Sequence, residues 1–107
     1  MNKSIILTFP HTLPKHEARR RVEQAFGQLG QQLTQVKLVA FEQTWAGDRV
    51  NFVAALLGQQ VRGHVDVLDQ TVGLEVELPG LLSMLADVVR GRLQAEGRKL
   101  LAKNAGR

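Results

Sequence analysis

Two short spacings in this chain could carry chemistry. His64 and Asp66 stand two residues apart in "VRGHVDV", beside Arg62, and an imidazole next to a carboxylate is the pairing a general base requires. His11 and His16, with Glu17 adjacent to the second, carry the donor types that bind a transition metal. Spacing weakens both readings. Residues i and i+2 of a strand share a face whatever they do, so His64 and Asp66 equally suit a solvated or partner-facing strand. No carboxylate stands at ligand spacing to both His11 and His16, which leaves a histidine at a helix entry and a solvated one on the helix. No nucleophile motif, phosphate loop or dinucleotide fingerprint occurs. The absence of Cys removes disulfides, thiolate metal sites and a cysteine nucleophile. We therefore expect no enzyme, no catalytic residue, no metal and no cofactor.

The segment "TWAGDRVNF" (44–52) holds the only Trp of the chain, Trp45, followed by Gly47, Asp48 and Arg49. It reads first as a tight turn between two strands, with the aromatic packed at a strand end and Asp48 capping the turn through its side chain. The competing reading places Trp45 and Arg49 at the mouth of a binding site.

The elements that would position these residues follow from periodicity. "SIILTFP" (4–10) is β-branched and closed by Pro10, as a strand should be. Thr12 is the expected N-cap of a helix with Pro14 in its first turn. Ala18, Val22, Ala25, Phe26, Leu29 and Leu33 then recur at helical spacing, and the helix is expected to end near Gly27 to Gly30. From there the period becomes 2. A strand at 36–45 is followed by three more, with Val50, Phe52, Ala54 and Leu56, then Val61, Gly63, Val65 and Val67, then Val72, Leu74, Val76 and Leu78 on single faces. Short turn-like links imply an antiparallel meander, with Gly47 supplying positive φ. Pro79 opens a final helix whose apolar positions are Leu81, Leu82, Leu85, Val88, Val89 and Leu93, continuing to Leu100. The expected fold is α+β, β-α-β-β-β-β-α, one domain over residues 1–107. It is helix-grip-like, with the long C-terminal helix across an antiparallel sheet and a cavity or packed side chains between them.

Charge is uneven. The net +4 divides into +5 from Arg90 onward, where Arg90, Arg92, Arg98, Lys99, Lys103 and Arg107 face Glu96 alone, and −1 over the rest. A basic helix reads first as a solvated face; a basic amphipathic helix can also lie on an anionic or amphiphilic surface. Specific nucleic-acid binding is not expected, because aromatics make up 5% of the chain and no reading motif is present. The longest apolar run, Phe52 to Leu57, is far shorter than the roughly 20 residues that span a bilayer, so no transmembrane segment is expected; with no Cys in the chain, the expected location is cytoplasmic. Val53, Ala55 and Leu57 make the second face of their strand apolar too, so either a partner subunit or a ligand covers it or it is an exposed apolar patch, and a homodimer is expected.

Together, "HTLPKHEARRRVE" (11–23), "WAGDRVNF" (45–52), "VRGHVDV" (61–67) and "VGLEVELPGLL" (72–82) resemble the polyhydroxyalkanoic acid system proteins, small bacterial proteins associated with polyester storage granules or their synthesis and use. The resemblance runs from about Ile5 to Leu101, and His11, Arg19, Trp45, Gly47 and Asp48 match recurrent positions. It implies a role and no reaction: a non-enzymatic accessory protein contacting the granule surface or a granule protein. The alternative is a helix-grip module holding a hydroxyacyl or fatty-acyl molecule between sheet and helix. The binding candidates are His11, Arg19, Trp45, Asp48 and Arg49 around the turn, and Leu85, Val89, Arg90 and Leu93 on the final helix.

Overall fold

Strict alternation produces the sheet. The computed structural model describes residues 2–35, 39–56 and 58–102. Five strands, β1 (Lys3–Pro10), β2 (Val39–Ala46), β3 (Arg49–Leu56), β4 (Gln59–Val67) and β5 (Thr71–Leu78), form one sheet in the order β1-β5-β4-β3-β2, antiparallel throughout. The meander of β2 to β5 is as the short links require, and β1 closes it by pairing with β5. Of the expected strand at 36–45, residues 36–38 lie outside the described residues.

Register puts the alternating apolar sets opposite one another. Ile5 faces Val76, Leu7 faces Leu74 and Phe9 faces Val72; on the other side of β5, Val65 and Val67 face Leu74 and Val72. Directly opposed residues point to the same side of a sheet, so these side chains make one apolar surface. Ile5, Val50 and Val67 are its fully buried centre. Two helices cover it, α1 (Lys15–Thr34) over β2 and α2 (Ala86–Leu101) over β1. Ala18 and Val22 of α1 and Ala86 and Leu101 of α2 are buried in the same core. The C-terminal helix thus shares the sheet with α1, each helix lying toward one edge.

Three local expectations need correction. Helix α1 begins at Lys15, with Pro14 rather than Thr12 at the N-cap position and no side-chain cap. Leu13 is buried beside it, and the Pro14 carbonyl, held extended at ψ 145°, accepts the first helical bonds from Glu17 and Ala18. The helix also runs through Gly27 and Gly30 to Thr34, because tertiary packing of Phe26 on Phe52 and Phe41 outweighs the roughly 1 kcal/mol per glycine lost in propensity. Finally, Pro79 opens a 3₁₀ segment, Gly80–Leu85, before α2 proper.

Among the described residues, no helix packs on the opposite sheet face. It carries Glu42, Arg49, Arg62, His64, Asp66, Glu75 and Glu77, with Val53 and Ala55 half-buried among them. Leu57 lies outside the described residues.

Candidate functional site

The recurrent turn residues come together at one end of the sheet, and they are used on each other. Gly47 takes φ 61°, the conformation that a two-residue link between β2 and β3 demands and that side chains resist. This turn lies against the first turns of α1. The Arg19 guanidinium stacks over the Trp45 ring, 4.2 Å from its centroid. Its Nη2 donates to the Gly47 carbonyl at 3.1 Å, its Nε lies 3.3 Å from Asp48 Oδ1, and its Nη1 pairs with Glu23. Lys15 Nζ holds the other Asp48 oxygen at 2.8 Å. These contacts keep the Asp48 carboxyl below its ordinary range, chiefly through the bond from Lys15. Asp48 therefore binds α1 where the sequence suggested a cap of its own turn, and its backbone carbonyl accepts from Val67 N–H at 2.9 Å.

His11 closes the same end from the other side. Its N–H donates to the Gln70 carbonyl at 2.9 Å and its ring Nε2 donates to the Leu68 carbonyl at 3.0 Å, which ties the chain after β1 to the β4–β5 link. The ring is buried, and Nδ1 has no partner among the described residues. A carbonyl acceptor at Nε2 means that this nitrogen carries a proton. His16, by contrast, is exposed on α1, and no group of three metal-ligating side chains occurs among the described residues.

Arg49 points away from this clasp. It forms a two-pronged pair with Asp66 on the uncovered sheet face, Nε to Oδ1 at 2.6 Å and Nη2 to Oδ2 at 3.0 Å. That pair lowers the Asp66 pKa, and His64 Nε2 stands 3.6 Å from the same carboxylate. The His64–Asp66 spacing is therefore one edge of a cross-strand charge network on an open surface.

Trp45 and Arg19 thus bind α1 to the sheet. Trp45→Phe is expected to lower stability by about 1 kcal/mol, through a smaller ring beneath the guanidinium and less packing on the core. Urea unfolding followed by circular dichroism measures this, and an unchanged midpoint would contradict a packing role.

The candidates on the final helix separate into two lines. Val89 and Leu93 pack on the core with Leu82 and Leu100, and Arg90 is half-buried beside them. Leu85 belongs to the other line: Leu81, Met84, Leu85 and Val88 are 77%, 80%, 50% and 72% exposed. Sequence reading merged both lines into one stripe and passed over Met84. The i, i+3, i+4, i+7 spacing of 81, 84, 85 and 88 was the signal available, overlaid on 82, 86, 89 and 93 in the same short stretch.

Between the helices lies a groove of about 300 Å³ lined by Arg20, Arg21, Gln24, Ala25, Gln28, Glu96, Lys99 and Leu100. Arg21 of α1 spans it, donating to the Leu100 and Ala102 carbonyls at 3.0 and 2.7 Å. It thereby satisfies the carbonyls that the end of α2 leaves without helical partners.

No curated protein matches the chain. The family model described as "Putative polyhydroxyalkanoic acid system protein" matches residues 5–101. That span takes in every strand core, the Arg19–Trp45–Asp48 clasp and the whole of α2, so the chain belongs to this family of polyhydroxyalkanoic acid system proteins.

Proposed function

We propose that the protein is a non-enzymatic accessory of polyhydroxyalkanoate metabolism that sits in the cytoplasm on the storage granule, docking through the outer line of its C-terminal helical segment. The observation that carries this reading is the exposed row Leu81, Met84, Leu85 and Val88. Four large apolar side chains grouped on one ridge are costly in water and mark a contact surface. Each is free of a role in the core, since Leu82, Ala86, Val89 and Leu93 already dock the segment on the sheet. Docking therefore does not require the fold to open. No helix among the described residues is long and apolar enough to cross a membrane, and attachment by a surface ridge needs none. Around the turn, Arg19, Asp48, Arg49 and Asp66 spend their charges on one another, on Lys15 or on adjacent backbone.

The test is co-sedimentation of the purified protein with isolated polyhydroxyalkanoate granules, native and stripped of their own proteins. We expect binding to both. The double variant Met84→Glu/Val88→Glu should bind at least about tenfold more weakly, since burying each such side chain is worth roughly 1.5–3 kcal/mol. Trp45→Phe should bind as the parent does. Full binding by the double variant would remove the ridge from the contact.

A further inference from the structure

The exposed line continues past Val88. Steps of four, three and four residues lead to Arg92, Ala95 and Lys99, all exposed, so the outward line of one helical segment is apolar in its first half and cationic in its second. The cations of α1 and of the adjoining turn are occupied: Lys15 and Arg19 on Asp48, Arg20 and Arg21 on Glu17, Arg49 on Asp66. Among the described residues, none of Arg90, Arg92, Arg98 and Lys99 on α2 is held in an ion pair, although Asp87 and Glu96 share the helix. Unpaired charge is thus collected where the apolar ridge runs out.

From this arrangement we propose that the surface recognised by the ridge is an anionic lipid film, with Leu81, Met84, Leu85 and Val88 entering the acyl region and Arg92 and Lys99 meeting the lipid phosphates. The proposal rests on the reading of the ridge as the docking surface. An uncharged polyester would satisfy the apolar half and leave the cations without counter-charge. An anionic lipid layer satisfies both, since it places apolar chains beneath a plane of negative headgroups. The segregation runs along the helix axis, so the segment enters tilted, its 3₁₀ end deeper and its basic end at headgroup level. A groove on a protein would more simply be matched around the circumference of the helix.

The experiment is sedimentation of the full chain with vesicles of equal parts phosphatidylglycerol and phosphatidylcholine, with vesicles of phosphatidylcholine alone, and with protein-stripped granules. Binding to the anionic vesicles is expected, much reduced on phosphatidylcholine and weakened at high salt. Arg92→Gln and Lys99→Gln should each weaken it about fivefold, and roughly 30-fold together. Met84→Glu should weaken it at least about tenfold. Ile6→Glu, at a residue 63% exposed on the other face of the sheet, should leave it unchanged. Equal binding to both vesicle types, or indifference to Arg92→Gln/Lys99→Gln, overturns the lipid proposal. Binding to stripped granules without vesicle binding overturns it too, while keeping the ridge as a docking surface. Binding to native granules alone overturns it in favour of a granule protein, and binding to none of these overturns both readings.

Discussion

Gly63→Ala is expected to be the most damaging single methyl that can be added to this protein, lowering stability by about 3 kcal/mol and the melting temperature by roughly 10–20 °C. Gly63 lies on β4 between Phe52 of β3 and Val76 of β5. A Cβ there would fall on the Glu75 carbonyl oxygen and 2.5 Å from Phe52 Cζ. The ring cannot simply retreat, because Phe52 packs tilted against Phe26 of α1 at 5.3 Å between centroids, with Phe41 of β2 at 6.5 Å. The carbonyl belongs to a neighbouring strand and cannot move without breaking the ladder. Phe52→Leu in the same molecule should recover part of the loss by relieving the ring contact, and the carbonyl contact should keep the recovery incomplete. Thermal unfolding of the two single variants and the double variant measures this. A Gly63→Ala protein as stable as the parent would mean that the aromatic cluster does not close over β4.

The second large effect is a reversal of sign. In an exposed helix, Gly→Ala stabilises by roughly 1 kcal/mol, because glycine loses more backbone entropy on folding. Gly91 of α2 has nothing within 4 Å of the position of an added Cβ, so Gly91→Ala should stabilise by about that amount. Gly97, six residues on in the same helix, has the Phe9 ring 2.5, 2.6 and 2.9 Å from that position. Phe9 is buried, so its ring has little room to turn aside. Gly97→Ala should therefore destabilise by about 1–2 kcal/mol despite its better propensity. In a Phe9→Leu background the penalty should shrink or change sign, a coupling above roughly 1 kcal/mol in the double-mutant cycle. The readout is chemical denaturation. If Gly91→Ala and Gly97→Ala both raise stability, α2 is not seated on β1.

Both glycines show how far a sequence reading reaches. Gly63 was legible as a member of the alternating single-face set of β4, Val61-Gly63-Val65-Val67, yet nothing local says that a phenylalanine directly opposite on the neighbouring strand needs its missing side chain. Gly97 reads as a weak point in a helix until Phe9, 88 residues earlier, is placed beneath it. The turn at Gly47-Asp48 was legible because positive φ is a local demand met by a local residue. The partner of Asp48 was not, because the sequence offered the turn's own backbone and the fold offered Lys15 and Arg19.

The C-terminal segment divides along the same line. Its composition announced an amphipathic helix with a basic end. Which leucines face the core depends on where α2 lands on β1, and a 3₁₀ start over Gly80–Leu85 rotates the early residues relative to a continuous α-helix. Leu82 goes inward, while Leu81, Met84 and Leu85 go out.

The sequence by itself determined the order of strands and helices, the antiparallel meander, the single-face sets of β3, β4 and β5 and the uneven charge, because periods of 2 and 3.6 and turn chemistry act over a few residues. Tertiary structure alone decided that β1 pairs with β5, that Arg19 spans Trp45, Gly47 and Asp48, and that one line of the last helix is left bare. Those outcomes depend on long-range packing, in which each helix satisfies one edge of a shared sheet and whatever apolar surface exceeds that need remains exposed.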